Sequence, residues 1–128
     1  MELPHQEPIK LLGTVEYYDD KAIESEYTIP EDHPVLEGHF PHIKIWPGVY
    51  LIEGMNQCAG KHALMMAMAD IGTVNHEDYV TFVTTVDKCK FRAPVFPGDT
   101  IRCSATLIKR KANHVVYQCV ITKDSVKC

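Results

Sequence analysis

A proline-free run from Gly48 to about Ala69 is the feature that most limits the folds open to this chain of 128 residues. The run is apolar on nearly all sides, and its strongly polar members are Glu53, Asn56, Gln57, Lys61 and His62. Such a pattern predicts a helix that is surrounded by protein instead of lying on the surface. At 1.5 Å per residue the helix would be roughly 30 Å long, so the rest of the chain has to cover it.

Alternating apolar and polar residues predict strands on both sides of this helix. Residues 12–18 and 22–29 form a first pair joined at Asp19 and Asp20, and the helix follows a proline-rich loop over 30–47. After a polar loop, further strands are expected at residues 79–86, 88–91, 100–109 and 114–123. An antiparallel sheet wrapped around one helix satisfies this order best. We therefore expect an α+β fold in a single domain, residues 1–128.

Charge and composition exclude several classes of protein. Residues 1–86 carry a net charge of −10 and residues 87–128 one of +6, which sum to the overall −4. The positive half has few aromatic residues among its charges, so nucleic-acid binding is not expected. Its charge suits either an acidic docking partner, such as an acidic protein or a phosphorylated ligand, or simple solvation of strand faces.

No membrane span is expected, because no stretch reaches about 18 uncharged apolar residues. The first residues lack the pattern of a signal peptide, and a cytoplasmic location is expected by default. The five cysteines form no CxxC pair, which is typical of reduced thiols that pack in the core.

Residues able to move protons are concentrated between His39 and Gln57. His39 lies in the loop stiffened by prolines, and Gly48, directly after Pro47, begins the predicted helix. The first N–H groups of a helix have no intrahelical partner, so the N–H of Gly48 is available to polarise a carbonyl oxygen. A structural role for His39 is the alternative at this point.

Glu53 lies inside an otherwise apolar helix, where burial would raise its pKa and keep it ready to act as an acid. Gln57 lies one turn further on the same helical face, so its amide can hold that carboxyl in place. The alternative is a solvent-facing Glu53 beside Lys61.

Other chemistries find little support in the sequence. His39 and His42 have metal-ligand spacing, but no cysteine or carboxylate stands at matching intervals, so no metal is expected. No GxGxxG or P-loop motif is present, so no nucleotide cofactor is expected. Trp46, Tyr50 and Phe91 are interpreted as core or tunnel lining.

The segment GHFPHIKIWPGVYLIEGMNQCAG resembles the signature of the 3-hydroxyacyl-(acyl carrier protein) dehydratases of the hotdog fold, in their dehydratase-only branch. The flanking LPHQEPIKLL and DKCKFRAPVFPGD are similar to further motifs of that family, so the resemblance covers nearly the whole chain. It implies a curved antiparallel sheet wrapped around one long helix. It also implies a dimer or a trimer of dimers, with each active site shared between two subunits.

By this resemblance His39 is the catalytic base that takes the C2 proton, and Glu53 is the partner subunit's carboxyl that protonates the departing 3-hydroxyl. Gly48 corresponds to the backbone N–H donor and Gln57 to the amide that supports the carboxyl. The implied reaction converts a (3R)-hydroxyacyl thioester, on acyl carrier protein or coenzyme A, to a trans-2-enoyl thioester without a cofactor. A hotdog acyl-thioesterase and a non-catalytic acyl-thioester-binding module are the alternatives.

Overall fold

The computed structural model describes residues 10–33, 36, 45–71, 85–111, 114–124 and 126–128. Five strands and one long helix make up the regular structure of these residues. The elements, in chain order, are β1 (Thr14–Tyr18), β2 (Ala22–Thr28), α1 (Gly48–Ile71), β3 (Thr100–Lys111), β4 (His114–Lys123) and β5 (Val126–Lys127). The predicted α+β class is confirmed. The long helix begins where the sequence predicts it and runs two residues beyond Ala69.

The strands form a single antiparallel sheet in the order β1-β2-β3-β4-β5. Its register places Ile23 opposite Ala105 and Ser25 opposite Cys103. All four of these side chains are buried, because successive side chains of a strand point to opposite faces and these four share one face. The alternation read from the sequence therefore selects the face that receives the helix.

Helix α1 packs against β2, β3 and β4 through this buried face. Leu51 and Cys58 of the helix are at most 5% exposed and belong to one core cluster with apolar side chains of the sheet. Where the helix crosses the centre of the sheet, the Ser25 hydroxyl donates to Cys58 Sγ at 3.4 Å. Helix and sheet thus share one core. No helix in the described part of the chain is both long and apolar enough to span a membrane.

Two tight turns shape the described chain, and the first lies where the sequence predicts it. At the β1–β2 turn, Asp19 Oδ1 accepts from the backbone N–H groups of Lys21 and Ala22, both at 2.8 Å. The Tyr17 hydroxyl, and then those N–H groups, hold the pKa of Asp19 below its ordinary value. The turn before β3 uses Gly98 with φ of 88°, a left-handed conformation that glycine adopts without steric cost.

One strand prediction is wrong, and others fall outside the described residues. Residues 88–91 are not a strand, because Lys88 has a φ of 52° that interrupts extended backbone. Just beyond, the N–H groups of Arg92 and Ala93 both donate to the Cys128 carbonyl, at 2.5 and 3.2 Å, instead of joining a ladder. Most of the strand predicted at 79–86 and most of the loop predicted at 70–78 lie outside the described residues.

All five cysteines are free, as expected from their spacing. Cys58, Cys103 and Cys128 are buried, while Cys89 is exposed. Burial raises the pKa of the Cys119 thiol to about 12. Thiols of this kind are protonated at neutral pH and behave as small apolar groups, which agrees with a packing role.

Candidate active site

Backbone hydrogen bonds fix the chain before and after Gly48, the first residue of helix α1. The N–H of Trp46 donates to the Val95 carbonyl at 2.7 Å, which ties the chain to the segment before β3. The Pro47 carbonyl then accepts from Tyr50 N at 3.0 Å and from Leu51 N at 3.3 Å, and these bonds open the helix. Among the described residues, the N–H of Gly48 has no acceptor. It is the donor predicted for a carbonyl oxygen.

An aromatic ring covers Gly48 and explains why a side chain is absent there. A Cβ atom at this position would lie 2.8 Å from Phe91 Cε1 and 3.0 Å from Phe91 Cζ, closer than real Cβ contacts. Phe91 is 56% exposed, so of its two predicted roles, core or tunnel lining, the first is wrong and the second stays a prediction. Its ring lies over the first residue of the helix.

Gln57 holds the carboxyl of Glu53, as the spacing on the helix predicts. Gln57 Nε2 donates to Glu53 Oε1 at 3.1 Å, while Gln57 Oε1 accepts from the N–H groups of Leu11 and Leu12 at 2.7 and 3.1 Å. Two backbone donors thus require the amide oxygen on their side, which turns the amide NH₂ toward Glu53. With Gln57 only 1% exposed, this orientation is locked by its surroundings.

Glu53 lies on the side of the helix that does not face the sheet. At 100° per residue, Glu53 is about 200° around the helix from Leu51, which packs in the core. Its side chain is half-buried next to the segment that contains Leu11. The Cα positions of Glu53 and Gly48 are about 7.5 Å apart along the helix and about 140° apart around it. The Glu53 side chain leaves the side of the helix, whereas an N–H at the start of a helix points back along its axis, so within one chain the two groups face different directions.

A small cavity of about 20 Å³ lies between the first half of the helix and the sheet, enough for a single water molecule. It is lined by Leu11, Ser25, Tyr27, Trp46, Tyr50, Leu51, Gly54, Ile101, Cys103 and Ile121. Trp46 is buried in the core and Tyr50 packs against it, which confirms the interpretation of both as core residues. The cavity they line does not admit an acyl chain, so their role in lining a tunnel stays a prediction. A site for a long acyl chain therefore needs surfaces in addition to those that line this cavity.

His39 lies outside the described residues, as do His42 and Lys44. The role of His39 remains a prediction from the sequence. The residues on either side of its loop are described, and they meet: the rings of His33 and Trp46 have centroids 5.0 Å apart.

Sequence reasoning missed two buried histidines. His33 is 5% exposed and lies against Trp46 and Tyr50. His62, in helix α1, is fully buried; its Nε2 donates to the Asp19 carbonyl at 2.8 Å and its Nδ1 accepts from the Tyr117 hydroxyl at 2.5 Å. The only signal for His62 was its place in an apolar helix. No local pattern marked His33, whose partners lie 13 and 17 residues further along the chain.

Replacing Gln57 by Leu removes the hydrogen bonds to Leu11, Leu12 and Glu53 while it keeps most of the side-chain volume. We expect the free energy of unfolding to fall by about 2–4 kcal/mol, since two backbone N–H groups, one of them fully buried, lose their acceptor. Urea unfolding followed by circular dichroism measures the change. A matched control is Asn56→Leu on the neighbouring, half-buried position of the helix. Equal stability of Gln57→Leu and the wild type would contradict the amide's role as an anchor.

A comparison with solved structures identifies the fold, and a family model identifies the family. The dehydratase heterocomplex ApeI:P from Xenorhabdus doucetiae contains a chain that superimposes with a TM-score of 0.80, at 17% sequence identity, over 98% of this chain and 80% of that one. One long helix on a curved antiparallel sheet is therefore a hotdog fold here, and the fold prediction is confirmed. The chain belongs to the ApeI-like family, described as ApeI dehydratase, whose model matches residues 15–128.

Curated relatives agree with this assignment and with the resemblance read from the motifs. The chain is 35% identical over 127 residues to the 3-hydroxyacyl-(acyl-carrier-protein) dehydratase FabZ of Campylobacter concisus, covering 98% of this chain and 85% of the relative. It is 37% identical over 112 residues to the FabZ of Campylobacter curvus, covering 87% and 75%. The FabZ of Aliarcobacter butzleri is 33% identical over 117 residues, covering 91% and 78%.

Proposed function

We propose that this chain catalyses the dehydration of (3R)-hydroxyacyl thioesters to trans-2-enoyl thioesters in fatty acid or related acyl-chain biosynthesis. The observation that carries the proposal is the carboxyl of Glu53, oriented by a buried amide on a helix that begins at Gly48. A positioned acid and a backbone donor are two of the three groups that this elimination needs. The motif that contains His39 supplies the third.

In the proposed reaction, neutral His39 removes a proton from C2, and the electron pair of that C–H bond forms the C2–C3 double bond as the C3–O bond breaks. Glu53 gives its proton to the departing hydroxyl, so the products are an enoyl thioester and water. The Gly48 N–H donates to the thioester oxygen, which carries negative charge while the C2 proton is leaving. The Gln57 amide keeps the Glu53 carboxyl directed at the leaving oxygen.

A homodimer with shared sites is part of the proposal. Glu53 projects from the side of the helix that does not face the sheet, whereas the Gly48 N–H of the same chain points back along the helix axis. A second copy related by a two-fold axis would bring its own Glu53 to this chain's Gly48 and His39, and vice versa. The additional surface would also provide space for an acyl chain that the small cavity of one subunit does not admit.

To test the activity, hydration of crotonyl and longer 2-enoyl thioesters is followed by the loss of enoyl absorbance, with product identification. A 3-hydroxyacyl thioester is the product expected from the reverse of dehydration. Release of free thiol would instead identify a thioesterase, and tight acyl binding without turnover would identify a binding module. Either of the last two outcomes rejects the proposal. A cytoplasmic location belongs to the same proposal and is tested by fractionation of expressing cells.

Removal of the Gly48 N–H tests the backbone donor directly. Proline has no N–H and is tolerated at the first position of a helix, but its Cβ would meet the Phe91 ring. We therefore compare Phe91→Ala with the double variant Phe91→Ala/Gly48→Pro, so that the steric contact is absent from both. Loss of the donor is expected to lower kcat by about 10²–10³ relative to Phe91→Ala. Equal kcat values in the two variants would remove Gly48 from the mechanism.

The carrier of the acyl group is proposed to be an acidic acyl carrier protein. The end of β3 presents the exposed basic residues Lys109 and Lys111, within the C-terminal half that carries a charge of +6. We expect Lys109→Glu/Lys111→Glu to raise KM for a carrier-protein substrate about tenfold and to leave KM for the coenzyme A thioester unchanged. Equal effects on both substrates, or none on either, would argue against docking at this strand end.

A further inference from the structure

Three aromatic side chains, His33, Trp46 and Tyr50, form a cluster at the start of helix α1, called here the His33 cluster. The His33 ring lies edge-on to Trp46 with centroids 5.0 Å apart and an interplanar angle of 84°. It is also edge-on to Tyr50, at 5.7 Å and 89°, and Trp46 and Tyr50 are themselves 5.2 Å apart at 86°. Each ring contacts the other two. Perpendicular contacts of this kind favour one relative orientation of the rings.

The cluster is linked to the Gly48 N–H through the backbone. Trp46 precedes Gly48 by two residues and Tyr50 follows it by two, so the donor lies on the short stretch of chain that joins the two residues. The backbone of Trp46 is tied to Val95, and that of Tyr50 is tied to Pro47. His33 belongs to neither segment, yet it contacts both rings. It is therefore the member that joins them from outside the helix.

His33 is buried among these rings, with 5% of its surface exposed, and Trp46 is 2% exposed. In a close-packed interior, removal or reshaping of one ring shifts its neighbours instead of leaving them in place. A shift of Trp46 or Tyr50 would change the direction of the intervening N–H. His33 also begins the stretch that leads to His39, so its contact with Trp46 keeps the two ends of that stretch together.

We propose that His33 is a positioning residue that acts through Trp46 and Tyr50 to direct the Gly48 N–H at the thioester oxygen. The inference rests on the proposed function, because the donor has a role only if the chain acts on an acyl thioester. The charge on that oxygen is largest in the transition state. Misdirection of the donor therefore lowers kcat more than it changes KM.

The principal variant is His33→Leu, which fills similar space without a flat ring. We expect kcat for hydration of an enoyl thioester to fall about tenfold or more, since small displacements of a positioned group are costly, while KM stays within about twofold. His33→Phe restores a flat ring and is expected to keep kcat within about threefold of the wild type. Should His33→Leu fail to fold, His33→Gln makes the same comparison without a ring.

His62→Leu is the matched control. His62 is likewise a fully buried imidazole and is edge-on to a tyrosine, Tyr117, at 5.4 Å and 83°. It lies about 21 Å further along the helix axis from Gly48, since 14 residues separate the two positions. Its replacement is expected to lower Tm and to leave kcat of the folded protein at the wild-type value. With this result, a loss of stability alone would not explain a fall in kcat in His33→Leu.

Trp46 is the only tryptophan of the chain, so its fluorescence reports on the His33 cluster in each variant. The emission spectrum is expected to change in His33→Leu and to remain that of the wild type in His62→Leu. Wild-type kcat in His33→Leu would overturn the proposal, and so would an equal loss of kcat in His33→Phe. A wild-type protein without hydration activity would instead reject the proposed function, which distinguishes the two failures.

Discussion

The variant His39→Ala is expected to lose hydration of 2-enoyl thioesters by a factor of about 10²–10⁴, because removal of a general base from a proton transfer has effects of this order. The C2 proton has no other base assigned to it in the proposed mechanism. Initial rates with saturating crotonyl thioester measure the loss. His39→Asn, which keeps a polar side chain of smaller size, is expected to show the same loss.

The matched control for this variant is His114→Ala. His114 is the first residue of β4 and is exposed, so its loss removes an imidazole without disturbing the core. We expect wild-type kcat and an unchanged Tm in this control. Activity of His39→Ala within a few-fold of the wild type would exclude His39 as the base, whatever role the remaining groups play.

The second large effect is expected for Glu53→Gln, which keeps the shape of the side chain and removes the proton donor. We expect kcat to fall by about 10²–10⁴. The amide oxygen of the new side chain still accepts from Gln57 Nε2, in the place of the 3.1 Å bond in the wild type. The free energy of unfolding is therefore expected to change by less than about 1 kcal/mol. A large loss of stability in Glu53→Gln would mean that the carboxyl is chiefly structural.

Mixing the two inactive variants tests whether sites are shared between subunits. If His39 acts with the partner's Glu53, a mixed dimer of His39→Ala and Glu53→Gln subunits has one intact site and one with both changes. Random exchange of equal amounts makes half of the dimers mixed, so about a quarter of wild-type activity should return. If each site uses His39 and Glu53 of one chain, no activity returns. The separate variants provide the baseline.

Much of the fold was predictable because it depends on local periodicity. The alternation from Ile23 onward and the apolar run from Gly48 each repeat a pattern that specifies one kind of element. The strand expected at 88–91 failed for a reason that its composition does not reveal. Lys88 takes a left-handed conformation, and the following N–H groups are drawn to the carbonyl of Cys128. That partner lies at the far end of the chain, beyond any local pattern.

The candidate site likewise has features that follow from local spacing and others that depend on residues far apart in the chain. Spacing alone predicted that Gln57 would reach Glu53, because residues four apart are neighbours on a helix. The direction of the amide depends on Leu11 and Leu12, which are 46 and 45 residues away and supply the two N–H groups that its oxygen accepts. Likewise, His33 carried no signal in the sequence, and its role follows from contacts with rings on other segments.

By itself, the sequence determined the helix, the strands that pair around it and the residue types available for proton transfer, because periodicity and spacing act over a few residues. Only the tertiary structure decided how those groups are oriented. It directs the Gln57 amide by two distant backbone donors, covers Gly48 with Phe91, and joins Trp46 and Tyr50 through His33. Such orientations arise from hydrogen bonds and packing between segments far apart along the chain, which no local pattern encodes.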